Sequence, residues 1–171
     1  MKVALVFHGL VGSIKGKNHQ LLGGSDKVLE YSFKHNKEHI LDKYDCDVFF
    51  HTWSKELEDD LVKLYQPKQY VAEEQIQFEI PDYIKSNRNR IFAHLSRWYS
   101  FEAATWLVNE YAFRNKVEYT HVIVQRFDLC WNLDPDFGSM DPNYLWVGKL
   151  RPDRDWETIP TTKMCKYSIS I

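Results

Sequence analysis

The chain has 171 residues, 44% of them hydrophobic, 27% charged and 15% aromatic, with only 7 Gly and 6 Pro. That composition excludes a disordered, collagen-like or low-complexity protein, and the length fits one domain able to bury about 70% of its unfolded surface. With 22 Lys and Arg against 24 Asp and Glu, the net charge of -2 gives no global attraction for nucleic acid or an anionic membrane, so an anionic ligand must be met by local positive charge.

In chain order, the first element is a short apolar run, Val3 to Phe7, closed by His8-Gly9 and followed by a loop holding Gly12, Gly16, Gly23 and Gly24. The run is too short for a signal peptide and no small-residue cleavage site follows, so it reads as a buried strand. Ser25 heads a predicted helix to about Lys43, with Val28, Leu29, Phe33, Ile40 and Leu41 as an imperfect apolar stripe. Cys46 to Phe50 is a second strand, ended by His51-Thr52-Trp53. Ser54 stands as the cap of a short helix with Leu57, Leu61 and Leu64 inward and Glu56, Glu58, Asp59 and Asp60 on its solvated face.

Gln69 to Ala72 is a third strand. From Asn89 to about Asn115, Ile91, Phe92, Leu95, Trp98, Tyr99, Ala103, Trp106 and Leu107 recur with helical period, which predicts a long helix whose Trp98, Tyr99 and Trp106 serve the core. His121 to Val124 runs into Gln125-Arg126-Phe127-Asp128 as a later strand, and Tyr144 to Leu150 is the last, before an unpatterned Thr161 to Ile171. No stretch approaches ~18 consecutive apolar residues, so no transmembrane helix is expected, although peripheral membrane contact stays open. Cys46, Cys130 and Cys165 form no C-x-x-C pair and read as free thiols in a reducing compartment.

Strands alternating with helices predict an α/β fold: three layers, with a mainly parallel, Rossmann-like sheet and helices on both faces. In such sheets ligands bind outside the carboxyl ends of the strands. That rule selects His8 to Ser13, then His51-Thr52-Trp53, then Arg126 to Asp128, and their meeting point is the expected site.

The loop after the first strand fails as a P-loop, with Val11 where the first Gly belongs and Asn18 where the magnesium-binding hydroxyl belongs. Its backbone N–H groups near Gly9, Gly12 and Ser13 can still approach a ligand closely, or the loop is an ordinary connection. Arg126 and Asp128 alternate onto one face of a strand end. A guanidinium there can fork onto a diphosphate and a carboxylate can hold Mg²⁺ or Mn²⁺; the plain alternative is an ion pair between the two. His8, His51 and Asp128 would make a two-His, one-carboxylate metal set if the strands bring them together, a metallohydrolase reading. Arg97 and Ser100 lie three apart on the long helix and either point to the strand ends or belong to a solvated face, with Lys85, Arg88 and Arg90 upstream.

Four segments in order, K-V-A-L-V-F-H-G at the start, D-V-F-F-H-T-W at 47 to 53, S-R-W-Y-S-F-E-A-A at 96 to 104 and H-V-I-V-Q-R-F-D-L at 121 to 129, resemble a family of glycosyltransferase-like proteins of bacterial surface-polysaccharide loci and large viruses. The resemblance covers about residues 1 to 150. It implies a GT-A-like domain over 1–150 that binds a nucleotide-diphospho-sugar, with 151–171 as an irregular or truncated tail. It places His8, Gly9 and Ser13 at the nucleoside and Asp128 at a divalent metal or the sugar phosphate. Arg126 stands where the family's D-x-D motif has its first Asp, so Arg126 can itself neutralise the diphosphate and make Mn²⁺ or Mg²⁺ dispensable. The implied activity is sugar transfer to a glycan or lipid-linked acceptor, in a bacterial or host-cell cytoplasm. The competing expectation is a non-catalytic nucleotide-sugar or glycan-binding module lacking its acceptor half. No catalytic base is singled out, since Asp153, Asp155 and Glu157 are equal candidates late in the chain.

Overall fold

β1 (Lys2–Gly9) buries every residue from Val3 to His8, because it is flanked by a strand on each side and covered on both faces. A computed structural model describes residues 1–11, 25–85, 87–131, 133–141, 144–148 and 164–168. After β1 come α1 (Ser25–Asn36), a π-helical turn at Lys37–Leu41, β2 (Asp45–Thr52) and a 3-10 turn at Lys55–Leu57. Then follow α2 (Glu58–Tyr65), β3 (Gln69–Ala72), α3 (Arg88–Asn115) and β4 (His121–Arg126).

These four strands form one parallel sheet in the order β3-β2-β1-β4. The expected three-layer, Rossmann-like α/β fold is therefore present. Side-chain alternation divides β1 between two cores. Val3, Leu5 and Phe7 join Val48 and Phe50 of β2 against Leu29, Ile40, Leu61 and Tyr65 on the α1/α2 side. Ala4, Val6 and Phe49 meet Ala104 and Val108 of α3 on the other. Right-handed crossovers demand this arrangement: the chain steps outward from β1 through β2 to β3, then returns past β1 to β4, so its last crossover helix lies on the opposite face.

The chain reverses direction across the sheet between β1 and β4, and the carboxyl ends at such a switch point are where open parallel sheets bind ligands. β5 (Tyr144–Gly148) and β6 (Met164–Ser168) pair antiparallel in a separate two-stranded sheet. The segment Thr161 to Ile171, read as unpatterned, thus contains a strand, because five residues that pair with one antiparallel neighbour leave little periodic signal.

Three local expectations are corrected. Ser54 makes no side-chain cap; its Oγ accepts the Val11 N–H at 3.0 Å, and the following turn is 3-10 before α2 begins. Trp98 and Trp106 do not serve the core: they are 63% and 66% exposed. The side of α3 that meets the sheet carries Ser100, Ala104 and Val108, spaced four apart, and these small residues let the helix lie close to β1 and β2. Leu95, Trp98, Trp106 and Phe113 are exposed away from these small residues, while Tyr99, 38% exposed, packs on Trp53 beyond the end of β2. The long helix starts at Arg88, one residue before the expected Asn89, where the Asn87 side chain accepts from Arg90 N as the N-cap.

Candidate functional site

The strand register sets the site. His8 of β1 is level with His51 of β2 on one side and with Arg126 of β4 on the other, and Gly9 is level with Thr52. Gly9 has φ +93°, a left-handed conformation that L side chains rarely adopt, so the turn out of β1 needs glycine. Its carbonyl accepts from Thr52 Oγ1 at 3.0 Å and from Trp53 N at 3.4 Å. Its N–H donates to Ser100 Oγ at 2.7 Å, which anchors α3 over the end of β1.

Ser100 also lies 2.7 Å from His51 Nδ1, and His51 Nε2 lies 2.9 Å from Glu73 Oε1. Because a carboxylate only accepts, Nε2 carries the proton and Nδ1 accepts from the Ser100 hydroxyl when the ring is neutral. Burial holds the His51 pKa below its usual value, with Glu73 opposing. The arrangement looks like a Ser-His-Glu relay, but Ser100 and His51 are fully buried, so no substrate atom reaches the hydroxyl. The relay is a clamp joining β1, β2 and α3.

His8 is 8% exposed and its pKa is lowered to about 4, by burial first and then by the charges of Arg126 and Arg97. It is a neutral imidazole at physiological pH. Among the described residues its Nδ1 is buried without a hydrogen-bond partner, as is the indole N–H of Trp53, which is 3% exposed. Such groups are costly to leave unmade, and two of them sit at adjacent strand ends. Trp53 stacks on Tyr99 at 5.3 Å, and Phe101 meets His8 edge-on at 5.7 Å.

Arg126 is half exposed and forks onto Asp128, with Nε 2.8 Å from Oδ1 and a terminal nitrogen on Oδ2. The plain alternative raised for this pair, an internal ion pair, is therefore how the two side chains stand. Arg97 is exposed on α3, close enough for its charge to depress His8. Gly12 and Ser13 lie outside the described residues. The structure thus brings His8, Gly9, His51, Thr52, Trp53, Ser100 and Arg126 to one end of the sheet. It does not gather His8, His51 and Asp128 around one point: both His51 nitrogens are engaged by Ser100 and Glu73, and Asp128 by Arg126. Among the described residues no group of three His, Cys, Asp or Glu is placed to hold a metal ion.

Glu73, Tyr99 and Phe101 were not anticipated as site residues. Glu73 follows directly on β3, so the same carboxyl-end rule that chose the other segments would have found it. A shallow depression of about 600 Å³ lies elsewhere, lined by Phe33, Lys34, Lys37, Glu38, Asp42 and Lys43, and includes none of the strand-end residues. No family model, curated protein or solved structure matches the chain. Among the described residues no helix is long and apolar enough to cross a membrane.

Proposed function

We propose that the carboxyl ends of β1 and β4, at the switch point of the sheet, bind a nucleoside diphospho-sugar and that the protein transfers the sugar to a glycan or lipid-linked acceptor. The observation that carries this reading is the pairing in register of His8 with Arg126 at the point where the sheet reverses direction. Around it stand a second guanidinium, Arg97, and the buried nitrogens of His8 and Trp53 that have no partner among the described residues. A diphosphate supplies acceptor oxygens for the Trp53 indole N–H and for the two guanidiniums, of which Arg126 is held by Asp128 in its absence.

In this reading diphosphate oxygens take over the fork of Arg126 that Asp128 holds. The bond between the sugar C1 and the diphosphate oxygen breaks with its electron pair going to the diphosphate, the acceptor oxygen bonds to C1, and the acceptor hydroxyl's proton passes to water. Negative charge grows on the departing diphosphate, where Arg126 and Arg97 stabilise it. No step is routed through Mn²⁺ or Mg²⁺, because Asp128 is engaged by Arg126 and the described residues offer no three-ligand group. A cytoplasmic setting, bacterial or of an infected host cell, belongs to the same proposal, and free thiols at Cys46 and Cys130 are in keeping with it.

Titration with UDP- and GDP-sugars, with and without Mn²⁺, tests the reading. Binding that Arg126→Ala weakens at least tenfold supports it. Absence of nucleotide binding, or binding indifferent to Arg126→Ala, refutes the site. Product formation with an acceptor separates transfer from binding alone.

A further inference from the structure

The turn of α3 that hangs over the end of β1 presents Arg97, Trp98 and Phe101 together. Phe101 meets His8 edge-on at 5.7 Å, and Trp98 meets Phe101 edge-on at 5.7 Å, so two ring contacts connect the exposed indole to the buried histidine at the end of β1. Trp98 is 63% exposed, and Arg97 beside it is close enough for its charge to act on His8. We propose that Trp98 is the stacking wall for the base of the bound nucleotide. This inference rests on the nucleotide reading above and names a residue that reading does not use.

The chemistry matches the two ends of a nucleotide. Consecutive residues supply a guanidinium, which suits a phosphate, and a broad π-face, which suits a flat heteroaromatic ring. An indole held by an edge contact to Phe101 keeps most of its surface free, and its orientation is fixed by the helix rather than by a loop. A large aromatic ring exposed beside a ligand site is otherwise unfavourable surface, while stacking a base on such a ring typically strengthens binding by about tenfold or more. Trp106, two helical turns further on and equally exposed, has no ring contact with His8 or Phe101 among the described residues and serves as the internal control.

The test compares UDP and GDP with inorganic pyrophosphate, by calorimetry on the full chain and its variants. Trp98→Ala is expected to weaken nucleotide binding about tenfold while leaving pyrophosphate binding unchanged. Trp98→Phe should retain most of the preference for nucleotide, and Trp106→Ala all of it. Circular dichroism checks that each variant is folded. Unchanged nucleotide affinity in folded Trp98→Ala overturns the stacking role alone, as does an equal loss for nucleotide and pyrophosphate, which would mean that Trp98 only supports Phe101. If wild type binds neither probe, the nucleotide reading falls and this inference with it.

Discussion

Ser100 Oγ lies 2.7 Å from His51 Nδ1 and 2.7 Å from the Gly9 N–H, so one small hydroxyl on α3 holds the ends of β1 and β2 together. All three groups are at the carboxyl edge of the sheet, where a helix carrying a larger residue at this position could not approach as closely. Ser100→Ala would leave the Gly9 N–H and His51 Nδ1 buried without a partner. The expected cost is about 1–3 kcal/mol for each buried group left unpaired. Urea unfolding of wild type and Ser100→Ala reads it directly, and an unchanged midpoint would show that the clamp contributes nothing.

The Arg126 and Asp128 pair makes opposite predictions for its two members. Arg126→Ala removes the anchor and should weaken pyrophosphate binding at least tenfold. Asp128→Asn removes the carboxylate that competes for the guanidinium, so metal-free pyrophosphate binding should become several-fold tighter. Had Asp128 been a metal ligand, Asp128→Asn would instead abolish any gain in binding on adding Mn²⁺. Neither change should alter stability by more than about 1 kcal/mol, since the pair is partly exposed. Isothermal titration with and without Mn²⁺ distinguishes these outcomes.

His8 makes stability depend on pH in a calculable direction. Its folded pKa is lowered to about 4 from the usual 6.5, chiefly by burial, then by Arg126, Arg97 and His51, with Asp128 opposing. Below pH 6.5 the unfolded chain binds a proton that the folded chain refuses, so protonation favours unfolding. The stability contribution is full above pH 6.5 and is lost as pH falls toward 4. His51 is shifted the same way, so wild type alone does not isolate His8. Replacing His8 with Gln, which does not titrate, should reduce the fall in urea midpoint between pH 7 and pH 4.5. An identical fall in both proteins would remove His8 as a source.

How much of this was legible in the sequence follows from what each signal encodes. β1 and β2 read clearly because strands covered on both faces are continuous apolar runs, and the residues at their carboxyl ends, His8, Gly9, His51 and Thr52, were chosen by position alone. Ser100 and, by the same rule, Glu73 were within reach as candidates, but their pairing with His51 was not legible. Glu73 and Ser100 reach His51 from segments 22 and 49 residues away, a proximity created only by the order of strands and the placement of α3. A second buried chain was likewise silent: Gln125 donates to Asn36 at 2.6 Å and accepts from Trp131 Nε1 at 2.7 Å, each residue polar and locally unremarked. Long α3 was misread in its orientation, since helical period reveals that apolar residues share a side but not whether that side meets the sheet.

The orientation of α3 yields a contrast that composition would reverse. Ala104 is fully buried against Ala4, Val6 and Phe49, whereas Trp106 and Phe113 are 66% and 87% exposed. Enlarging the small residue should therefore harm the fold more than removing the large ones. Ala104→Leu forces extra methyl groups between helix and sheet, and overpacking of that kind costs about 1–3 kcal/mol. It also displaces Ser100, one turn earlier on the same side, so the Gly9 and His51 contacts should weaken with it. Trp106→Ser and Phe113→Ser remove exposed surface and should stay within about 0.5 kcal/mol of wild type. Chemical denaturation of the three variants orders them. A strongly destabilised Trp106→Ser beside a tolerated Ala104→Leu would mean that the aromatic side of α3, not the small-residue side, faces the sheet.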